Sequence, residues 1–379
     1  MLFRSYLNTY FELTDINRRF TNLRDQHELY CAGHLIEAAV AYFEATGKRR
    51  FLEIMIRYVD LIDATFGSED GKLKGYPGHE EIELALVKLY QITKDEKHLK
   101  LAKFFIDERG SDEKYFDAEA RARGDKPGWQ NSVYEHSVYY QAGKPVRSQT
   151  EAIGHAVRQV YLLIGMAEVA RETDDETLKI ACKTMWKDIT RRQMYITGAV
   201  GQTAFGEAFT FDYDLPNDTN YGETCASVAM FFWAQSMLRL EANGEYGDIM
   251  DTMLYNGTIS GMNLEGDRFF YVNPLECLPV RSRKSQIVRH IKPVRQKWFG
   301  CACCPPNLAR MISNLPSSIF TYDANTLFMN LFTSCEAVTK LAGGDIKLSC
   351  ETHYPVDGRI KVSIGECFQN FKLCLRLPG

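Results

Sequence analysis

The amino-acid sequence predicts a mainly α-helical fold of paired helices, followed by a shorter β-domain towards the C-terminus. Segments in the first two thirds of the 379-residue chain repeat one pattern: an apolar-faced helix, a short polar turn and a second helix. After Tyr322 the pattern changes to short alternating runs that are typical of strands. Because tandem helical hairpins stack as a solenoid or close into a helical barrel, we expect one of these two forms.

Each helical unit is expected to begin with a glycine followed by a polar residue. The pairs are Gly33-His34, Gly78-His79, Gly154-His155 and Gly222-Glu223. If the units are equivalent, the polar side chains open corresponding helices and lie together at one end of the assembly. Helix N-termini at that end also favour negative charge.

The chain beyond Leu264 predicts a change from helices to strands. RFFYVNPLE predicts a short strand, and KPVRQKWFGCACCPPN a loop that leads into a helix around LARMISNLPSSIF. The strands predicted after Tyr322 are TLFMNLF, AVTKL, DIKLSCETHYP, RIKVSIGE and FKLCLRLPG. The last run ends without a closing partner strand. Residues 1–321 are therefore predicted to form the helical domain and residues 322–379 the start of a β-sandwich.

The composition argues against several classes of partner. The net charge is −4 and the pI is about 6.1, so no basic excess is available to neutralise the phosphates of nucleic acid or an anionic membrane. No apolar run approaches the roughly 18 residues that span a bilayer, and no signal-peptide pattern is visible. The chain has 11 cysteines without regular spacing, which is more typical of reduced thiols than of a disulfide framework. We therefore expect a cytoplasmic protein.

The segment WFGCACCPPN concentrates thiols, because Cys301, Cys303 and Cys304 lie within four positions. Adjacent cysteines do not easily bridge each other, but both can reach one metal ion where two prolines bend the backbone. A tetrahedral zinc site needs four ligands, and Glu223 and Cys225 of GETCAS are the best candidates for the other two. The alternatives are buried apolar cysteines and a purely structural zinc site.

The segment GEAFTFDYDLPNDTNYGE concentrates carboxylates around a predicted loop. Glycosidases use one carboxyl that protonates the departing sugar oxygen, opposite a nucleophile or base. Glu207 lies between Phe205 and Phe209, and these apolar neighbours are expected to raise its pKa and keep it protonated near neutral pH. The alternative is that these acids form a solvated loop face or helix caps.

Histidines lie near the starts of the predicted helical units, at His27, His79 and His155. A single histidine is more often a structural group, but three at comparable places favour a shared pocket. Tyr271, in FFYVNP, is expected to be either a core residue or a ring that stacks on a sugar.

Several of these segments are long, specific motifs. They are HELYCAGHLIEAAVAY, GYPGHEEIELAL, AIGHAVR, YITGAVG, GEAFTFDYDLPNDTNYGETCAS, FFYVNPLE and KPVRQKWFGCACCPPNLAR. Together they run through nearly the whole chain and resemble the β-L-arabinofuranosidases of glycoside hydrolase family 127. The resemblance implies an (α/α)6 barrel followed by β-sandwich domains. Because family members continue upstream and downstream, it also implies a truncated member whose barrel lacks its early helices.

The same resemblance implies a role for each residue of the predicted site. The implied zinc ligands are Glu223, Cys225, Cys303 and Cys304. The implied sugar-binding residues are His27, His79, His155 and Tyr271. Cys303 is implied as the nucleophile and Glu207 as the general acid/base. The family match favours His27 over His34, which the hairpin pattern nominated; the two are seven residues apart and are expected to share a helix face.

The implied chemistry is a retaining hydrolysis through a cysteine thioglycosyl intermediate. A thiol is mostly protonated at neutral pH, and zinc ligation converts it to a thiolate. A strongly bound thiolate is a poorer nucleophile, so the metal is expected to hold Cys303 loosely. Cys301 is expected only to pack against its neighbours.

The resemblance therefore implies a zinc-dependent glycosidase that removes terminal β-L-arabinofuranose from plant-type glycans. Two alternatives stay open: the same machinery acting on a different furanose-like sugar, and a non-catalytic, zinc-stabilised fragment. Carbohydrate is the expected partner, nucleic acid and membranes are not, and a homodimer is left open.

Overall fold

The computed structural model describes residues 5–125, 136–341, 344–367 and 370–379. Its α-helices are α1 (Thr9–Thr14), α2 (Glu28–Thr46), α3 (Arg50–Thr65), α4 (Ile82–Thr93), α5 (Glu96–Glu108), α6 (Tyr115–Arg123), α7 (Ala156–Thr173), α8 (Glu176–Asp188), α9 (Thr224–Leu240), α10 (Gly244–Thr252), α11 (Pro279–Lys284), α12 (Cys304–Asn314) and α13 (Pro316–Ile319). Its strands are β1 (Gly154–His155), β2 (Ala208–Phe209), β3 (Phe320–Tyr322), β4 (Thr326–Met329), β5 (Cys335–Leu341), β6 (Gly344–Thr352), β7 (Ile360–Cys367) and β8 (Lys372–Leu375). The predicted order, helices first and strands after them, is confirmed.

The long helices pair as hairpins. Helix α2 packs against α3, α4 against α5, α7 against α8 and α9 against α10, which are the predicted units. The first helix of each hairpin also packs against the first helix of the next, from α2 through α4 and α7 to α9, and α12 packs on α9. These first helices therefore form an inner row, and the second helices lie outside it.

Burial follows from this two-layer arrangement. Every residue of α7 from Ala156 to Ala170 and of α9 from Thr224 to Leu238 is buried, as expected for helices that are enclosed on all sides. The outer helix α3 instead buries one stripe at three- and four-residue spacing, with its other face in solvent. The inner helices α7 and α9 are therefore enclosed, whereas α3 forms part of the surface.

Short turns join the helices of each hairpin, and their residues have the expected capping roles. The α2–α3 turn uses Gly47, with φ of 69° in the left-handed region, as the C-cap of α2. The side chain of Asp95 accepts the backbone N–H of Lys97 at the start of α5. Asp175 accepts two backbone N–H groups in the same way at the start of α8.

The expectation that Gly33 begins a helix is wrong. Helix α2 begins five positions earlier, at Glu28, and Gly33 lies inside it. A Cβ atom at Gly33 would lie 2.7 Å from Glu81 Cγ and 2.9 Å from Ile82 N, so this glycine allows the start of α4 to approach α2 closely. The corresponding expectation holds for His155 and Glu223, which are the N-caps of α7 and α9.

The strands form one two-stranded pair and two three-stranded sheets. Strand β1 pairs with β2, the next sheet has the order β3-β4-β8, and the last has the order β5-β6-β7. The final run does have a partner, contrary to expectation, because β8 pairs with β4 in parallel. RFFYVNPLE forms isolated bridges, Phe269 with Gln296 and Val272 with Glu223, instead of the predicted strand. Among the helices of the described residues, none is long and apolar enough to cross a membrane.

Candidate active site with a metal-binding cluster

Two helix starts bring the predicted metal ligands together. Glu223 is the N-cap of α9 and Cys225 lies in the first turn of that helix. Cys303 is the N-cap of α12, which begins at Cys304 and carries two prolines in its first turn, where a missing N–H costs no helical hydrogen bond. Since α12 packs on α9, the two starts meet.

The distances within this cluster are short. Cys225 Sγ lies 3.6 Å from Cys304 Sγ, and Cys303 Sγ lies 3.8 Å from Cys304 Sγ and 3.4 Å from Glu223 Oε1. One donor atom from each of these four residues lies within 4.8 Å of all the others. Cys304, Cys225 and Glu223 are buried, and Cys303 is partly exposed. The cluster is therefore closed on the protein side and open at Cys303.

Proton distribution in the cluster is uneven. The neighbouring thiols of Cys225 and Cys304 hold the pKa of Cys303 well below its usual range. The pKa of Cys225 is raised by its contact with Cys303, and burial together with nearby Glu207 raises the pKa of Glu223. One thiolate thus lies among protonated partners that share its charge.

This donor set fits a divalent metal ion such as zinc. Three sulfur atoms and one carboxylate oxygen are a soft, four-ligand combination of the kind that Zn²⁺ selects. Glu223 Oε2 is buried and has no hydrogen-bond partner among the described residues. A buried, unpaired carboxylate oxygen is costly, and a bound cation would satisfy it.

A second group of side chains surrounds Glu207. Strand β2 follows Glu207 and pairs with β1, so His155 lies opposite Ala208, and Ala156 N–H donates to the Glu207 carbonyl over 3.0 Å. His155 Nε2 lies 3.0 Å from Glu207 Oε2, and the hydroxyl of Tyr221 donates to Glu207 Oε1 over 2.8 Å. Because His155 Nδ1 accepts the backbone N–H of Arg158, its Nε2 carries the proton that points at Glu207.

The predicted rise in the pKa of Glu207 is wrong. Burial does raise the pKa of Glu207, but the hydrogen bonds from His155 and Tyr221 lower it, and the result lies below the ordinary glutamate value. Phe205, which was expected to shield this carboxyl, is 66% exposed. The decisive neighbours are polar groups that come from other segments of the chain.

The remaining histidines continue from His155 as a row of rings. His79 lies 5.9 Å from His155 and 5.8 Å from His27 between ring centroids. His79 Nδ1 lies 2.9 Å from the carbonyl of Glu80, and His27 Nδ1 lies 2.7 Å from the carbonyl of Asp25. A carbonyl only accepts, so each Nδ1 is protonated and each Nε2 can accept a hydrogen bond from a ligand.

Tyr271 completes the group on the thiol side. Its hydroxyl lies 3.1 Å from Cys303 Sγ, and its backbone carbonyl accepts the N–H of Thr224 at the start of α9. We name the group around Glu207, with His155 and Tyr221, the acid side of the site, and the group around Cys303, with Tyr271, the thiol side. The two sides adjoin, because donor atoms of His155, Glu207 and Glu223 lie within 4.8 Å of one another. The structure therefore brings all nine predicted site residues into one contiguous group.

Two expectations at the edge of the site are wrong. Cys301 is exposed, so it does not simply pack against its neighbours. His27 and His34 do not share a helix face, because His27 precedes α2 with φ of 53°. His34 instead turns towards Glu81, with Nδ1 3.1 Å from Oε1.

Sequence reasoning missed two residues of the group. Tyr221 donates to Glu207, and Tyr30 lies with its ring centroid 4.4 Å from His79. Both tyrosines lie within segments that were singled out, HELYCAGH and DTNYGE. Glu207 and His79, which these tyrosines contact, lie 14 and 49 positions away, so no local pattern marks those contacts.

Comparison with known proteins identifies the family. Residues 4–317 match the β-L-arabinofuranosidase GH127 catalytic domain, and residues 326–379 match the GH127 middle domain. The chain belongs to glycoside hydrolase family 127. The predicted fold class, a helical barrel followed by a sheet domain, is confirmed by solved structures of this family.

Three relatives carry the likeness in detail. The non-reducing end β-L-arabinofuranosidase of Bifidobacterium longum subsp. longum is 42% identical over 367 residues, which are 95% of this chain and 55% of that protein. The crystal structure of a GH127 β-L-arabinofuranosidase from Geobacillus stearothermophilus T6 is 54% identical, with a TM-score of 0.94 over 99% of this chain and 59% of that one. A solved GH127 β-arabinofuranosidase is 40% identical, with a TM-score of 0.83 over 95% of this chain and 52% of that one. The chain thus spans between half and three fifths of the length of these relatives.

Proposed function

We propose that this chain carries the catalytic machinery of a zinc-dependent retaining glycoside hydrolase that releases β-L-arabinofuranose from the non-reducing end of its substrate. The observation that carries the proposal is the contact of one carboxylate with both halves of the site. Glu223 lies 3.4 Å from the Cys303 thiol, and its donor atom lies within 4.8 Å of that of Glu207. Glu223 thus links a nucleophile to a proton donor, the pair that a retaining glycosidase uses on one glycosidic bond.

The first step joins the sugar to the protein. Cys303 Sγ attacks the anomeric carbon while the bond from that carbon to the leaving oxygen breaks, and a proton passes from Glu207 to that oxygen. Glu207 must carry a proton at this moment. A bound sugar that displaces water from the carboxyl favours the protonated form, and His155 Nε2–H fixes the position of Oε2.

The second step releases the sugar. Glu207, now ionised, takes a proton from a water molecule, the resulting hydroxide attacks the anomeric carbon, and Cys303 leaves as a thiolate. Two successive displacements at one carbon retain its configuration. Tyr271, whose hydroxyl lies 3.1 Å from Cys303 Sγ, stabilises the thiolate as it leaves.

Glu223, Cys225, Cys303 and Cys304 are the residues that would hold zinc. A bound zinc ion keeps a coordinating thiol deprotonated at neutral pH. The sugar-binding roles proposed for His27 and His79 rest on Nε2 atoms that can accept hydrogen bonds, and those proposed for His155 and Tyr271 rest on their contacts with Glu207 and Cys303.

A β-L-arabinofuranoside with a nitrophenyl leaving group tests the chemistry. Cys303→Ala is expected to lower kcat by about 10⁴-fold or more, and Glu207→Gln by about 10²–10⁴-fold, as for other nucleophiles and general acids. Cys374→Ala, at an exposed cysteine of β8, is the control and keeps wild-type turnover. NMR of the first-formed sugar anomer reports retention. Wild-type activity in the Cys303→Ala protein excludes the thiolate mechanism, and zinc binding without turnover in the wild type favours a non-catalytic fragment.

Metal analysis tests the cluster separately from turnover. We expect about one zinc per chain in the purified protein, as four ligands define one site. Cys225→Ser should lower this content, whereas Cys374→Ser, an exposed cysteine in β8, should leave it unchanged. Equal zinc content in both variants contradicts the ligand assignment.

A further inference from the structure

A basic segment borders the site. Residues 279–298 contain seven Lys or Arg residues and no Asp or Glu, in a chain whose net charge is −4. We name these residues the basic segment. The net charge of the whole chain is negative and does not reveal this local positive charge. The proposed hydrolysis mechanism assigns the basic segment no role.

Most of these cations are exposed and unpaired. Arg283, Lys284, Arg289 and Lys292 are exposed, and in the described part of the chain none of them forms an ion pair with a carboxylate. Arg281 pairs with Asp218, and Lys297 lies 3.9 Å from Asp267. Arg289 donates to Gln286 and Lys292 donates to the Arg289 carbonyl, so these contacts leave both charges uncompensated. Exposed cations that are not neutralised by a carboxylate create a positive surface that attracts anions at moderate salt.

The basic segment packs directly on the acid side of the site. Val288 and Ile291 are buried in a small cluster with Tyr221, whose hydroxyl donates to Glu207. The ring of His290 lies 5.8 Å from that of Tyr221. The cations that alternate with these buried residues therefore lie on the outer side of the wall that holds Glu207.

The C-terminal end of the basic segment is fixed to the thiol side. Gln296 forms an antiparallel bridge with Phe269, and Phe299, the next residue after the segment, lies 5.6 Å from Tyr271 between ring centroids. The middle of the segment thus packs on Tyr221, which contacts the acid, and its C-terminal end leads into Phe299, which packs on Tyr271 beside the nucleophile. Arg289, between Val288 and Ile291, therefore lies near the wall of the site.

A shallow, open depression lies along the first part of the basic segment. It has a volume of about 510 Å³ and is lined by Leu278, Pro279, Val280, Arg281, Lys284 and Ser285. Apolar walls with a few cations suit a sugar ring that presents its C–H face and a carboxylate.

We propose that the basic segment binds the carboxylates of an acidic glycan, so that the arabinofuranose removed by this chain is carried on uronic-acid residues. This inference rests on the proposed function, because it places the leaving group on the Glu207 side. Glu207 protonates the leaving oxygen, so the rest of the glycan leaves past the wall that carries the cations. Regularly spaced carboxylates along a sugar chain match separate exposed cations better than a single compact anion does.

A binding experiment tests the surface without hydrolysis. Calorimetric titration of the full chain with a galacturonate oligomer is expected to show binding that weakens between 25 mM and 300 mM NaCl. Lys284→Glu/Arg289→Glu should weaken this binding by about 5- to 30-fold, the sum of several surface charge contacts. The control Lys187→Glu/Lys340→Glu makes the same charge change at exposed sites outside the segment and should bind like the wild type.

Three outcomes overturn the proposal. One is equal binding of a neutral galactose oligomer of the same length. Another is equal loss of binding in the control variant. The third is equal or tighter binding of polyglutamate, which assigns the surface to acidic polypeptides instead.

Kinetics separate this proposal from the proposed function. The Lys284→Glu/Arg289→Glu protein should hydrolyse the nitrophenyl arabinofuranoside like the wild type, since neither residue touches the acid or the thiols. Its KM should rise about 5- to 30-fold for an arabinofuranoside carried on a galacturonate oligomer. An unchanged KM for that substrate overturns the proposal. A different result separates the two proposals: the wild type hydrolyses neither substrate but binds the galacturonate oligomer, and the Lys284→Glu/Arg289→Glu protein does not bind it. In that case the proposed function fails and the acidic-glycan surface stands.

Discussion

Glu207 has a backbone conformation that few non-glycine residues adopt. Its φ is 54°, in the left-handed region, and Gly206 before it has φ of 75°. Such a conformation costs roughly 1–2 kcal/mol in a residue with a Cβ, so neighbouring contacts must maintain it. Strand β2 begins at the next residue and pairs with β1, which holds the carboxyl beside His155. The pairing of β2 with β1 therefore both maintains the left-handed backbone of Glu207 and positions its carboxyl group.

Glu28 gives a prediction about pH that is independent of the catalytic cluster. Its carboxyl is buried, accepts hydrogen bonds from the Tyr6 hydroxyl and the Phe20 backbone N–H, and has its pKa raised by burial to about 7. A carboxyl whose folded pKa exceeds its unfolded value stabilises the fold below the unfolded pKa. That stability is lost as the pH rises from about 4.5 to about 7.

Glu28→Gln is expected to remove this pH dependence, because an amide makes similar hydrogen bonds without ionising. The free energy of unfolding from urea titrations should change less between pH 5 and pH 8 in the variant, by about 2–3 kcal/mol. Glu53→Gln, at an exposed position on α3, is the control and should follow the wild-type curve. Parallel pH curves for wild type and Glu28→Gln contradict this assignment.

At the scale of single residues, the sequence predicts which residues form the site better than it predicts what surrounds their side chains. Motif matches nominated Glu207 and the thiols, and the structure brings them together. The pKa direction of Glu207 was wrong because Tyr221 and His155, which lie 14 and 52 positions away, determine it. The phenylalanines next to Glu207 in the sequence do not reveal which distant residues hydrogen-bond to its carboxyl group.

At the scale of elements, α12 begins at Cys304 with Cys303 as its N-cap, and a partly buried ionic contact anchors the second half of this helix. Arg310 Nη2 donates to Glu37 Oε2 of α2 over 2.6 Å, and its guanidinium lies 4.5 Å from the ring centroid of Phe232 in α9. Asn307, one turn nearer to the thiols, accepts the Tyr161 hydroxyl of α7 over 3.1 Å. Three inner helices thus fix the direction of α12.

Arg310→Met should therefore destabilise the fold by about 2–4 kcal/mol, because it leaves a buried carboxylate short of one partner. Lys88 still contacts Glu37 and moderates the loss. In a double-mutant cycle with Glu37→Gln, urea unfolding should give a coupling energy of about 1–3 kcal/mol. Additive effects would mean that the pair does not anchor the helix.

Helical hairpins could be predicted because their apolar periodicity is a local property of the sequence. The start of α2 could not be predicted in this way, because Gly33 does not form a turn. It lies inside α2, where its missing side chain allows the start of α4 to pack closely. The parallel pairing of β8 with β4 was missed for a related reason. Which strand pairs with β8 depends on the path that the chain takes between the two strands. The alternation of apolar and polar residues within a strand does not encode that path.

At the scale of the whole molecule, one arginine joins the strand region to the helices. Arg376, just after β8, forms ion pairs with Asp248 and Asp251 of α10 and donates from Nε to the Asn330 carbonyl over 2.7 Å. It is 7% exposed, and its guanidinium lies 5.1 Å from the centroid of Phe332. The charge is therefore buried where β4, β8 and α10 meet.

Arg376→Ala is expected to weaken this junction by about 3 kcal/mol, since it removes a buried cation from two carboxylates. The strand region should then open at a lower temperature than the helices. Thiol labelling during a temperature ramp reports each region, because Cys350 is buried in β6 and Cys182 is buried in α8. In the variant, Cys350 should react well before Cys182. Lys361→Ala, which removes the exposed Lys361–Glu351 pair within the strand region, should leave both reactions at wild-type temperatures. If Cys350 and Cys182 become reactive together in Arg376→Ala, Arg376 does not couple the two regions.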